Sequence, residues 1–135
     1  MLNGGKEVAI KTESLSQTHF CLPKEIKNYS LLEAKFFPRL IQQGIEPESE
    51  RMYLVTDLLG PSLENLWNFC DGKFSLKTTL MLFYQILDRL QFMHSVNIIH
   101  RDLKPDNIMI GLGNDSVNVF FVDFGLSRSV IDPET

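Results

Sequence analysis

The stretch that decides how this chain folds is HRDLKPDN at residues 100–107, followed by DFG at residues 123–125. Between the two motifs lie two short runs of strand-forming residues, 108–110 and 117–122, joined by the turn-rich sequence GLGNDS. This pattern predicts a β-hairpin. Because a hairpin brings its two ends together, the residues that enter it and the residues that leave it are predicted to share one site.

The two motifs carry side-chain oxygens on Asp102, Asp106, Asn107 and Asp123. Carboxylate and amide oxygens are the ligands that Mg²⁺ prefers, so these residues are candidates for a magnesium site. Each of them taken alone is more often a turn residue or a helix cap, which is the usual role of an aspartate in a loop. The combination of residues and spacing therefore carries the interpretation, rather than any one position.

In order and context the motifs resemble the catalytic loop and the metal-binding motif of the protein kinases. The resemblance implies that Asp102 accepts or orients the proton of a substrate hydroxyl, and that Asn107 and Asp123 bind Mg²⁺. Lys104 is similar to the lysine that marks serine/threonine kinases and neutralises the transferred phosphoryl group. The implied catalytic residues are thus Asp102, Lys104 and Asn107, and the implied cofactors are ATP and Mg²⁺. His100 is predicted to be a packed, hydrogen-bonded anchor.

Near the start of the chain, VAIK at residues 8–11 lies in an alternating segment that predicts a β-strand. The tetrapeptide resembles the kinase strand whose lysine contacts ATP phosphates. By this resemblance Lys11 binds the phosphates and Ala9 lines the adenine pocket. Taken alone the motif is weak, since a lysine at the end of a strand is usually a solvated edge residue.

A helical pattern runs from about residue 24 to residue 42, with Pro38 predicting a kink or an early end. Within it, Glu33 is the residue that the kinase resemblance would pair with Lys11. A local alternative remains open, because Ser30 to Glu33 also fits the capping-box pattern of a helix start. We favour the ion pair, because the order of motifs along the chain supports it.

The middle of the chain narrows the resemblance to the casein kinase 1 family of serine/threonine kinases. It rests on LLGPSLENL at residues 58–66, NFCDGKFSLKTT at 68–79 and GLG at 111–113. The similarity implies that Thr56 is the gatekeeper residue and that Asp57 to Leu59 form the hinge, which hydrogen-bonds adenine through its backbone. It also implies protein substrates with serine or threonine near acidic or already phosphorylated residues.

The clearest helix of the sequence spans residues 75–94, where apolar residues recur at intervals of three and four. Ser75 is its predicted N-cap. Upstream, Pro61 and Ser62 suit the first turn of a shorter helix, which Asp71 and the glycine after it end. In the kinase resemblance the long helix lies beneath the catalytic loop.

The expected fold class is α+β, a partial protein-kinase-like fold with two lobes. Residues 1–56 would form an incomplete N-lobe with the lysine strand, one helix and the strand leading to the hinge. Residues 57–60 would form the hinge, and residues 61–135 a partial C-lobe with the catalytic loop and the DFG motif. The chain begins too close to VAIK for a glycine-rich loop, and no strand is predicted between the helix and Met52.

The composition excludes several classes of protein. The chain has 135 residues, with 13 Lys and Arg against 17 Asp and Glu, and its net charge of −4 argues against a nucleic-acid-binding protein. Cys21 and Cys70 give neither a disulfide framework nor a CxxC metal motif. Neither a leader pattern nor an apolar run of the ~20 residues of a membrane span is found. The cytoplasm is therefore the expected location, with the nucleus as an alternative, and no membrane partner is expected.

Two functions follow from these patterns. The first is a casein kinase 1-like protein kinase that transfers the γ-phosphoryl group of ATP to protein serine or threonine. The second is a truncated or degenerate kinase that acts as a non-catalytic nucleotide-binding or interaction module. The second is suggested by an intact catalytic loop in a chain that is short for a whole kinase domain.

Overall fold

The computed structural model of the chain describes residue 5 and residues 7–130. The outer ends of the two predicted lobes, residues 1–4, 6 and 131–135, therefore lie outside the described residues. The described part has the mixed α+β architecture that the sequence predicts. In chain order its elements are β1 (Val8–Ser14), α1 (Leu22–Leu31), β2 (Leu40–Glu46), β3 (Arg51–Asp57), α2 (Leu63–Phe69), α3 (Leu76–Ser95), β4 (Ile98–Ile99), β5 (Ile108–Ile110), β6 (Val119–Phe121) and β7 (Arg128–Ser129).

The first part of the chain forms an antiparallel sheet with the strand order β1-β3-β2. The prediction that no strand separates the first helix from Met52 is wrong, because β2 pairs along β3. Its sequence, LIQQGIE, lacks the regular alternation of a half-buried strand, and its register is interrupted between Leu40 and Gln42. An edge strand with mostly solvated side chains needs little apolar patterning, which explains why the pattern missed it.

Helix α1 is shorter than its predicted range of 24–42. It begins at Leu22, has a proline in its first turn, and ends at Leu31. The chain then reverses through residues 32–39, where Phe36 has a φ of 77°. The apolar residues beyond Leu31 that suggested a longer helix lie in this loop or in β2. Their spacing matches the helical period by coincidence.

The second part of the chain matches the predicted helices closely. Ser62 caps α2 in a capping box with Asn65, and the Ser75 hydroxyl accepts a hydrogen bond from the Thr78 amide at the start of α3. Helix α3 buries Met93 but leaves a row of apolar side chains on its outer face, including Tyr84 at 75% exposure. No helix in the described part of the chain combines the length and the apolarity needed to cross a membrane.

A cluster of aromatic rings joins the two parts of the chain. Phe37, from the loop after α1, lies 5.4 Å from Phe92 of α3 and 6.3 Å from both Phe121 and Phe124, measured between ring centroids. Tyr29 of α1 contacts the edge of Phe124 at 4.8 Å. The core is therefore continuous from the small sheet to the helices, and it fixes how α1 sits over the hairpin.

The hairpin predicted between the two motifs is present as β5 and β6, with Ile108 opposite Phe121. Its open end is closed by the Val122 amide, which donates to the Asn107 carbonyl at 3.1 Å. After the DFG motif the chain forms the short strand β7, which pairs with β4 just before the catalytic loop.

We expect Phe121→Ala to destabilise the protein strongly. Phe121 is 0% exposed and its ring faces Phe37 and His100, so truncation leaves a cavity that costs about 3–5 kcal/mol. Chemical denaturation followed by circular dichroism measures the change in unfolding free energy. Val117→Ala, at a position with 68% exposure, is the control and should change it by less than ~0.5 kcal/mol. Equal effects of the two substitutions would contradict the assignment of the core.

Candidate active site

A cavity of about 280 Å³ lies between β1, β3, α1 and the hairpin. Six of the seven positions predicted to bind the nucleotide line it together: Ala9, Lys11, Thr56, Asp57, Leu59 and Asp123. The other lining residues are mostly apolar, among them Ile10, Leu54, Leu58, Met109 and Val122. An apolar cleft with a few polar groups gathered at one end is the usual form of a small-molecule site.

The polar end of the cavity is organised around Lys11. Its Nζ atom donates to Glu25 Oε2 at 2.7 Å and to Asp123 Oδ1 at 2.9 Å. Burial lowers the pKa of Lys11, but the hydrogen bonds to the two carboxylates outweigh it, so the pKa is raised overall. Lys11 is therefore a fixed cation that connects the sheet, helix α1 and the DFG motif.

Glu25, and not Glu33, is the acidic partner of Lys11. Glu33 lies after the end of α1, is exposed and does not line the cavity, so its predicted ion pair is wrong. The capping-box alternative is also wrong, because Ser30 sits at the end of the helix, where its hydroxyl donates to the Ile26 carbonyl. The sequence carries a partial signal for Glu25, because it lies next to the apolar stripe of Leu22, Ile26 and Tyr29 at helical spacing.

Glu25 is almost completely buried, with 1% of its side chain exposed. Burial raises the pKa of its carboxyl group, and the hydrogen bond from Lys11 opposes that rise. A carboxylate in such a position is retained at low cost only if a cation pairs with it. The pair therefore holds α1 at a fixed distance from β1.

The catalytic-loop residues form a second cluster at the open end of the hairpin. Asp102 Oδ2 accepts hydrogen bonds from Lys104 Nζ and from Asn107 Nδ2, each at 3.0 Å. Asn107 Nδ2 also donates to the Asp102 carbonyl at 2.9 Å. The hydrogen bond and charge of Lys104 lower the pKa of Asp102, so its carboxylate is ionised at neutral pH. The structure thus brings all three predicted catalytic residues together.

His100 is the packed anchor that the sequence predicts. Its Nδ1 atom accepts a hydrogen bond from the Asp102 amide at 3.3 Å, so in the neutral ring the proton is on Nε2. Nε2 then donates a hydrogen bond to the Val122 carbonyl at 3.0 Å. The ring also contacts Phe121 and Phe124. Burial lowers the pKa of His100, so the imidazole is neutral and links the catalytic loop to the residue before Asp123.

Asn107 and Asp123 meet at the hairpin end and fit the predicted magnesium site chemically. The hydrogen bond between Val122 and Asn107 makes the two ligand positions neighbours. The amide nitrogen of Asn107 is engaged by Asp102, so its amide oxygen is the atom left for a cation. Mg²⁺ is typically held by one or two protein oxygens, with water and phosphate completing the shell.

A family model for the protein kinase domain matches residues 2–135 of the chain. The match covers the sheet, the helices and both clusters described above. The arrangement of a small sheet with one helix, followed by helices and a hairpin, is accordingly a partial kinase-like fold.

We expect Glu25→Gln to lower the pKa of Lys11, because the substitution removes one of the two carboxylates that raise it. Titration of the Lys11 side chain by ¹³C NMR measures this directly. Glu33→Gln is the matched control and should leave the Lys11 titration unchanged, since Glu33 does not reach the cavity. A shift caused by Glu33→Gln alone would show that the pairing described here is incorrect.

The neutral state of His100 gives a dependence of stability on pH. Its pKa in the folded protein is below the ordinary value of 6.5, so this contribution to stability is full above pH 6.5 and is lost as the pH falls below it. We expect the unfolding free energy to fall from pH 7 to pH 5.5, with a smaller slope in His100→Gln. NMR titration of the His100 ring should give a midpoint below 6.5. A midpoint at or above 6.5 would contradict the burial argument.

Proposed function

The chain belongs to the protein kinase family, and we propose that it is a serine/threonine kinase of the casein kinase 1 type. The proposed reaction transfers the γ-phosphoryl group of ATP to a protein hydroxyl. The observation that carries the proposal is the convergence of Lys11, Glu25 and Asp123 at one end of an apolar cavity. The cluster of Asp102, Lys104 and Asn107 joins the same end through the hairpin.

The apolar part of the cavity suits the adenine ring. Ala9 and Met109 contribute from two different strands, and Thr56 contributes from a third. Leu58 and Leu59 of the predicted hinge also line the cavity. Their backbone N–H and C=O groups would be the donors and acceptors for the edge of the base.

The polar part of the cavity suits the phosphates and their metal ion. Lys11 is held in place by two carboxylates, so it can bind phosphate oxygens without losing its position. Asn107 and Asp123 would hold Mg²⁺ through their side-chain oxygens. When bound, MgATP supplies the phosphoryl group and the divalent charge that offsets the negative charge of the transition state.

The hydroxyl group of the substrate would approach Asp102. Its carboxylate is ionised and fixed by Lys104 and Asn107, so it can accept a hydrogen bond from the hydroxyl and orient its oxygen for attack. A depressed pKa makes Asp102 a weak base, which suits orientation more than early removal of the proton. Lys104 would neutralise charge on the transferred group, the role that supports a preference for serine and threonine.

The preference for acidic or phosphorylated substrates rests on the sequence resemblance to the casein kinase 1 family. Three segments carry that resemblance, at residues 58–66, 68–79 and 111–113. The first of them leads from the hinge into α2, and the last lies at the turn of the hairpin. Casein, which is rich in acidic and phosphorylated segments, is therefore the first substrate to test.

We expect Asp102→Asn to reduce phosphoryl transfer from radiolabelled ATP to casein by about 10²-fold or more, because the amide lacks the negative charge that holds and orients the substrate hydroxyl. Asp71→Asn is the matched control. Asp71 lies in the turn between α2 and α3 with a φ of 53°, a conformation that asparagine tolerates. Incorporation by this control should equal that of the wild type.

Equal incorporation by the wild type and Asp102→Asn would overturn the proposed catalysis. If the wild type then showed an increase in melting temperature with MgATP, the non-catalytic nucleotide-binding alternative would be supported instead. Transfer to tyrosine rather than serine or threonine, determined by phosphoamino acid analysis, would contradict the proposed specificity.

A further inference from the structure

Glu13 connects the strand of Lys11 to the helix of Glu25. Its Oε2 atom accepts a hydrogen bond from the Cys21 amide at 3.0 Å and another from the Leu22 amide at 2.8 Å. We propose that Glu13 is a positioning residue, which caps α1 from the neighbouring strand and thereby aligns Glu25 with Lys11. This proposal rests on the proposed function in one respect only, namely that the ion pair between Lys11 and Glu25 serves nucleotide binding.

Helix α1 has no cap of its own. Its N-cap residue, Cys21, has helical backbone angles and makes no side-chain capping bond. The first amides of a helix have no partner inside the helix, and an uncapped start typically loses stability. Glu13 supplies the missing acceptor, and its negative charge lies at the end of the helix where the backbone dipole favours an anion.

The spacing of Glu13 from Lys11 gives the cap its second role. Residues two apart on a strand point to the same face, so both side chains leave β1 towards α1. Lys11 meets Glu25, three residues after Leu22, while Glu13 meets the first turn. The two contacts are made at different positions along the axis of α1. Together they fix both the distance and the rotation of α1 relative to β1, whereas the ion pair alone would fix only the distance.

A different contact holds α1 nearer its C-terminal end. Asn28 Nδ2 donates to the Phe124 carbonyl at 3.3 Å, and Tyr29 packs against the Phe124 ring. Without Glu13 the helix would remain attached to the DFG segment, whereas its first turn would be released from the sheet. The expected result is a folded protein in which the Lys11 amine pairs less constantly with Glu25.

Competitive acetylation tests this directly in the full chain. Trace acetic anhydride is followed by mass spectrometry, and the labelling rate of Lys11 is divided by that of exposed Lys77 in α3. We expect Glu13→Ala to raise this ratio about fivefold, because the loss of a helix cap typically costs about 1 kcal/mol and that cost corresponds to about a fivefold change in an equilibrium. Glu13→Gln keeps a neutral acceptor oxygen and should raise it less. Glu46→Ala, on an exposed position of β2, should leave it unchanged.

The double substitution separates positioning from general loosening. Because Glu13 acts through the ion pair, Glu13→Ala should add little to the ratio in a protein that already carries Glu25→Gln. An unchanged ratio in Glu13→Ala, full additivity with Glu25→Gln, or equal labelling increases at every lysine would each overturn the proposal. If Glu13→Ala fails to fold, Glu13→Gln provides the test. The proposal would be overturned if this variant kept both the wild-type labelling ratio of Lys11 and the wild-type rates of amide hydrogen exchange at Cys21 and Leu22.

Failure of the proposed function would look different. A wild-type chain that neither binds MgATP nor phosphorylates casein would contradict the kinase proposal, whereas the acetylation ratios would still decide the role of Glu13. In an active chain, Glu13→Ala should raise the KM for ATP more than it lowers kcat, since the misplaced lysine affects nucleotide binding first.

Discussion

The buried charge of Glu25 is the constraint on which the rest of the site depends. A carboxylate removed from water is costly unless a cation and hydrogen bonds replace the lost hydration. Lys11 can serve only if β1 and α1 come within a few ångströms of each other. The same amine then reaches Asp123, so satisfying one carboxylate also brings the exit of the hairpin into the cavity.

The neutral charge state of His100 plays the complementary part at the catalytic loop. Its two ring nitrogens are used in opposite senses, one as acceptor and one as donor, so the ring connects Asp102 to Val122 only while it is uncharged. Its aromatic surroundings favour that state by excluding water. The polar site is thus supported by the apolar core that joins the sheet to the helices.

The elements that the sequence predicted well are those determined by the spacing of residues close together in the chain. The catalytic loop, the hairpin after it and the helix from Ser75 depend on neighbours close in sequence, and the structure has each of them. What it predicted poorly depends on partners distant in sequence. The end of α1, and with it the choice between Glu25 and Glu33, is set by packing against Phe124, about 100 residues away. Strand β2 is specified by pairing with β3 more than by its own side chains.

Arg101 and Asp123 hold backbone conformations that side chains other than glycine rarely adopt, with φ angles of 67° and 63°. Each costs of order 1–3 kcal/mol and persists only because neighbouring contacts impose it, such as the bond from Arg101 to the Leu126 carbonyl and the ion pair of Asp123 with Lys11. The geometry of the catalytic loop and of the DFG motif therefore depends on contacts made outside those two segments, and the loss of such a contact would let the backbone at these positions relax.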